Sequence, residues 1–184
     1  MGRIANFIDG AYLQYLLKEE FGEPQVDMGK IAHELADNRE ILRTYFYDCL
    51  PYQSAPPTAD EANRFSKKQR FFHSLERLPR FEVRKGRLEY RGNKVNGQPI
   101  FEQKRVDILL GVDLVLLAAK HQITDAAVLA GDSDFLPAIE VAKQEGDVIH
   151  LFHGSRPHHD LVPTCDERFQ INQAFIDQVI RNSI

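Results

Sequence analysis

Short β-type runs alternate with helix-forming segments along the whole of this sequence, and that alternation allows few architectures. Residues 3 to 8, RIANFI, read as a strand, and AYLQYLLKEEFG reads as a helix closed by Gly22. Asp27 is placed to cap a short helix through Leu35, and ILRTYFYDCL is a β-rich run in which Tyr45 and Tyr47 alternate with Phe46. TADE at 58 to 61 is a capping box that opens a helix expected from about Ala59 to Leu78. The stretch from Arg80 to Gln103 holds short β-type runs broken at Lys85-Gly86 and Asn96-Gly97, the pattern of a hairpin or β-ribbon insertion. A helix from about Arg105 to His121, a strand at Ala126 to Ala130, a helix from about Phe135 to Glu145, a strand at Asp147 to Phe152 and a helix near Gln173 to Arg181 complete the series. Such β-α alternation requires a central, mainly parallel sheet flanked by helices on both faces. The 184 residues are enough for one domain of this kind, and the expectation is a single unit over 1–184, with the basic helix and ribbon occupying about 59–103.

In such a sheet ligands bind beyond the C-terminal ends of the strands, where strand order reverses. Asp9 follows the strand NFI directly, and Asp132 and Asp134 follow AAVLAG in the stretch VLAGDSDF, so all three fall on one sheet edge. KRVDILLGVDLVLLAAK reads as an amphipathic helix in which Leu109, Val112, Leu116 and Ala119 follow a helical period, with Asp107 near its start and Asp113 further along. Six residues turn a helix by about 600°, so the two aspartates do not share a face, and Asp107 is the better placed to reach the strand ends. Carboxylates this close repel, and burying part of them adds a desolvation cost of several kcal/mol, roughly. A helix N-terminus or a cation is the usual offset. Singly each aspartate has an ordinary explanation: Asp134 as a helix cap, Asp107 as a first-turn partner of the helix dipole, Asp9 as a turn residue before Gly10. Taken together on one edge they call for a shared one.

FIDG on the first strand, KRVDILLGVDLVLLA on a helix and VLAGDSDFLPAIEVAKQEG on a strand and helix resemble, in this order, the pattern of the NYN-domain family of PIN-like nucleases, in its LabA-like branch. The motifs span residues 3 to 153. The resemblance implies a three-layer PIN-like α/β fold and a metal-dependent ribonuclease in which Asp9, Asp107, Asp132 and Asp134 match the family's acidic positions, with Asp113 a further candidate. LVPTCDERFQI is similar to the family's closing Leu, Asp, Phe element, in which Asp166 would be structural. One position departs: the family often has asparagine three residues after the first aspartate, and this chain has Tyr12. The chemistry agrees with the resemblance. Phosphodiester hydrolysis needs charge neutralisation and an activated water, and the hard ions Mg²⁺ or Mn²⁺ that supply both select carboxylate oxygen.

The net charge of −4 argues against a nucleic-acid partner, but its distribution does not. Between Arg64 and Lys94 eleven Lys or Arg face three Glu, a local balance of +8 that leaves −12 for the rest. On the 59 to 78 helix Lys67, Arg70, Ser74 and Arg77 fall in one arc, and Phe65, Phe72, Leu75 and Leu78 in another. Arg84, Lys85, Arg87 and Arg91 extend the positive surface along the ribbon, with Phe81 and Tyr90 as stacking platforms or ribbon core. A basic track with Lys67, Arg70, Arg77 and Arg84 leading to an acidic pocket suits single-stranded RNA. Cys49 and Cys165 lack metal or disulfide spacing and are expected to be reduced. His153, His158, His159 and Asp160 lie in HGSRPHHD, whose composition is that of an exposed loop rather than a ligand set. No apolar run approaches a membrane span and no signal-peptide core precedes the first strand, so the chain is expected in the cytoplasm and away from membranes.

The function expected is therefore endonucleolytic hydrolysis of single-stranded RNA with Mg²⁺ or Mn²⁺. A non-catalytic PIN-like RNA-binding or regulatory module, which Tyr12 favours, and a small-molecule phosphoesterase, which the basic segment disfavours, are the alternatives. A second copy of the chain or a regulatory protein is the further partner class considered.

Overall fold

The computed structural model describes residues 2–181. In chain order the elements are β1 (Arg3–Asp9), α1 (Gly10–Phe21), α2 (Met28–Ala36), β2 (Glu40–Cys49), α3 (Ala59–Glu76), β3 (Phe81–Asn93), β4 (Pro99–Lys104), α4 (Val106–Ala119), β5 (Asp125–Leu129), a 3₁₀ turn (Ser133–Phe135), α5 (Leu136–Gln144), β6 (Val148–His153), α6 (Leu161–Thr164), β7 (Glu167–Gln170) and α7 (Gln173–Val179). The seven strands form one sheet in the order β4-β3-β2-β1-β5-β6-β7. Every pairing is parallel except β3 with β4, so this is the mainly parallel, helix-flanked α/β architecture expected of a PIN-like fold.

The central strands β1 and β5 are apolar on both faces because both faces are covered. Ile4 and Ile8 of β1 join Leu16, Ile31, Leu35, Phe72 and Leu75 beneath α1, α2 and α3. Ala5 and Phe7 point the other way, into a cluster with Leu110, Leu114 and Ile139 of α4 and α5. The chain runs from β1 outward to β2 and β3, then returns to add β5, β6 and β7 on the opposite side of β1. Strand order therefore reverses between β1 and β5, and the C-terminal ends of those two strands flank the crevice where α/β folds take ligands.

Two readings of the sequence need correction, and one strand had none. Lys85-Gly86 does not interrupt the ribbon: β3 is one strand of 13 residues whose first part pairs with β2 and whose second part pairs with β4. Gly86 marks close packing, since a Cβ there would lie 2.5 Å from a methyl of Val106 and 2.8 Å from Sγ of Cys49. On α4 the sheet takes Val106, Leu110, Leu114, Leu117 and Ala118 and leaves Ile108, Val112 and Leu116 exposed. That helix is apolar on all sides, so its periodicity does not select a face. The edge strand β7, exposed along all four residues, carried no apolar alternation to announce it. Asp166 joins that edge to the sheet: its carboxylate accepts the Ile149 N–H at 2.9 Å and pairs with Lys143 at 3.0 Å.

Candidate functional site

Asp9 is the last residue of β1 and the N-cap of α1, and its Oδ1 accepts the N–H groups of Ala11 and Tyr12 at 3.0 and 3.1 Å. Both bonds fall on one oxygen, leaving Oδ2 free of hydrogen bonds among the described residues. Burial raises the Asp9 carboxyl to about 6; the two backbone donors oppose that rise, and the charges of Asp107 and Asp48 add to it. On the far side of the crevice Asp132 caps the 3₁₀ turn by accepting the Asp134 N–H at 3.2 Å. The cap is thus Asp132 and not Asp134, whose carboxylate is exposed and makes no hydrogen bond among the described residues. Asp107 occupies the first turn of α4 without a capping side chain before it. Burial raises its carboxyl first, and the charges of Asp132 and Asp134 raise it further.

The fold therefore places Asp107 within electrostatic reach of Asp9 on one side and of Asp132 and Asp134 on the other, at the ends of β1 and β5. Among the described residues no three of these carboxylates bring oxygens within 4.8 Å of each other, so the group is a loose acidic rim rather than a closed cage. Asp9 and Asp132 line an open depression of about 450 Å³ together with Tyr12, Tyr15, Gly131 and His158. A second depression, of about 270 Å³ at the opposite edge of the sheet, is lined by His33, Arg39 and Arg80 among others and has no acidic residue.

Asp113 stands apart from this group. Its carboxylate accepts from the Tyr47 hydroxyl at 3.0 Å and from Arg84 Nε at 2.9 Å, an arrangement that supports β2 and β3. Arg84 is committed by the same contact, pairs also with Glu82, and lies over the Tyr45 ring. Of the four basic residues singled out in the sequence, Lys67, Arg70 and Arg77 are exposed on or at the end of α3, and Arg84 is half-buried in an ion-pair network.

Two residues of the site region escaped the sequence reading. Asp48, near the end of β2, is buried, forms an ion pair with Lys68 and adds to the negative field at Asp9. The rule that selected Asp9, a carboxylate at a strand's C-terminal end, also applies to Asp48. Lys68 sits four residues before the buried Phe72, so helical spacing puts it on the inward arc of α3 next to the exposed Lys67.

Tyr12 fills space that a smaller residue would leave open. Its ring lies against Gly131, where a Cβ would come within 2.2 Å of it, and its hydroxyl accepts the Gly154 N–H at 2.9 Å. The loop after β6 is held across the crevice by this bond, by Ser155 N–H to Glu20 at 3.0 Å and by His158 N–H to the Gly131 carbonyl at 3.1 Å. His153 turns to the Gly154 carbonyl at 2.7 Å, but His158, His159 and Asp160 bring their ligating atoms together within 4.8 Å, a convergence that the loop composition did not suggest. Cys49 and Cys165 are free and buried, and burial pushes both thiols up to about 11.

Among known proteins, the fold is similar to that of a Vibrio parahaemolyticus protein of unknown function, with a TM-score of 0.66 at 16% identity over 98% of this chain and 96% of that one. In sequence, 57 residues are 37% identical to the uncharacterized protein y4oD of Sinorhizobium fredii, a match that spans 31% of this chain and 26% of that protein. The model of the NYN domain matches residues 3–172, which include both sides of the crevice and every aspartate described above, and the chain belongs to the NYN domain family.

Proposed function

We propose that this chain is a divalent-metal-dependent ribonuclease that hydrolyses single-stranded RNA endonucleolytically through Asp9, Asp107, Asp132 and Asp134. The observation that carries the reading is the gathering of these carboxylates at the switch point, where Asp9 is held up at about 6 chiefly by its burial and Asp107 is raised by its own burial and by Asp132 and Asp134. Membership of a family of nucleases gives that gathering its chemical sense. The donor set fits a hard cation: it is all carboxylate, and Asp9 keeps one oxygen free after capping α1. Mg²⁺ or Mn²⁺ held there supplies charge neutralisation and Lewis acidity for phosphodiester hydrolysis. The protein's own contribution is positional. Asp9 is fixed by two backbone bonds, Asp132 by the turn it caps, and the exposed Lys67, Arg70 and Arg77 of α3 guide the RNA backbone toward the crevice. Arg84, tied to Asp113, contributes field more than direct contact.

One feature supports a second reading, a module that binds RNA without cutting it. Tyr12 stands against Gly131 at the crevice wall, where the family's smaller asparagine would leave room. The two readings part in one assay: end-labelled single-stranded RNA incubated with Mn²⁺ and wild-type protein or Asp132→Asn. Internal cleavage by the wild type, reduced at least about a hundredfold in the variant, is the expected result. Binding without cleavage, unchanged in the variant, supports the second reading instead.

A further inference from the structure

We propose that His158, His159 and Asp160 form a second cation site, of the Zn²⁺ class, at the rim of the acidic depression. The ligating atoms of the three residues lie within 4.8 Å of one another, a span that one ion closes once the side chains rotate and His158 Nδ1 gives up the Asp160 N–H that it accepts at 3.4 Å. His159 Nε2 is 3.2 Å from one oxygen of Asp160, and His158 Nδ1 is 3.8 Å from the other. The two imidazoles stack with centroids 4.5 Å apart and planes inclined by 29°.

The backbone beneath them is fixed. His158 N–H binds the Gly131 carbonyl at 3.1 Å, the His158 carbonyl accepts the Leu161 N–H at 3.1 Å, and the Asp160 carbonyl accepts the Thr164 hydroxyl at 2.9 Å. Together with the Tyr12 to Gly154 bond, these contacts hold the turn in place, so little backbone ordering remains to oppose binding. Two imidazoles and one carboxylate select a borderline ion such as Zn²⁺ over Mg²⁺, and three protein ligands leave a coordination position open to solvent or to a ligand. The acidic rim, all carboxylate, has the opposite preference. Because His158 also lines the depression with Asp9 and Asp132, an ion on this triad sits beside the acidic rim without using its residues. The inference stands on these three side chains and does not depend on the ribonuclease reading.

The test uses tag-free full-length protein titrated with Zn²⁺ in competition with a chromophoric chelator, with Co²⁺ absorption as a second readout of ligand type. Wild type should take up one equivalent tightly, with Co²⁺ bands of an N/O ligand set. His159→Ala and Asp160→Ala should each weaken uptake by about tenfold or more, and Asp132→Asn should leave it unchanged. His159 and Asp160 are exposed, so the metal-free variants should melt like wild type, which separates missing ligands from a damaged fold. Uptake unchanged in the triad variants, or absent from wild type at micromolar Zn²⁺, overturns the proposal. Uptake abolished by Asp132→Asn also overturns it, because the ion would then be in the acidic rim.

Discussion

Asp147, at the turn before β6, is buried, and its Oδ2 has no hydrogen-bond partner among the described residues. Burial first, and then the charges of Asp125 and Glu145, hold its carboxyl up at about 6, against the opposing charge of His121. An acid raised on folding is ionised at a cost to the native state. That cost is absent below the unfolded value near 4, grows as pH rises toward 6 and is complete above it. Asp147→Asn should therefore stabilise the protein at neutral pH by up to about 3 kcal/mol and leave stability near pH 4 little changed. Urea melts at the two pH values check this, and an equal effect at both would mean that the carboxylate charge is not the cause. Tyr12 and Gly131 make a second prediction at this scale. Gly131→Ala should cost about 1–3 kcal/mol by driving a methyl into the Tyr12 ring, and the cost should shrink in a Tyr12→Asn background. Additive losses in that double-mutant cycle would contradict the contact.

At the scale of elements, α3 sends adjacent basic residues to opposite sides: Lys68 turns in to Asp48, while Lys67, Arg70 and Arg77 stay in solvent. Replacing the three exposed residues by alanine should flatten the salt dependence of single-stranded RNA binding by about 0.7 in log–log slope for each phosphate that the variant no longer neutralises. Binding and cleavage like wild type would reduce α3 to a solvated face and send the RNA over another surface. The capping box at Thr58, the αL glycine that closes α1 and the apolar strands β1 and β5 were readable from the sequence because each depends on local residue chemistry. The face of α4 was not, since a helix apolar all round is oriented by what packs against it. The path of β3 through Gly86 was not either, because the requirement for glycine comes from Val106, Cys49 and Lys104, residues distant in sequence. For the site, the positions of Asp9, Asp107, Asp132 and Asp134 followed from strand ends and helix starts. The pairing of Asp113 with Arg84 and Tyr47 depends on strand register, which composition does not encode.

Over the whole molecule, one mainly parallel sheet with its order reversed between β1 and β5 brings acidic residues to the C-terminal ends of its central strands, and the segment from Arg64 to Lys94 on α3 and the β3-β4 ribbon carries the positive charge. No described helix is long and apolar enough to cross a membrane. On the proposed function the acidic edge is a cation site, and a divalent ion relieves the repulsion that the backbone donors to Asp9 and Asp132 offset in part. Anomalous scattering from a crystal soaked in Mn²⁺ tests this at the atoms concerned. A peak is expected at coordination distance from Asp9 and Asp132, and it should vanish in Asp132→Asn. A well-ordered map with no peak there at millimolar Mn²⁺, or with Mn²⁺ only at His158, His159 and Asp160, would contradict it.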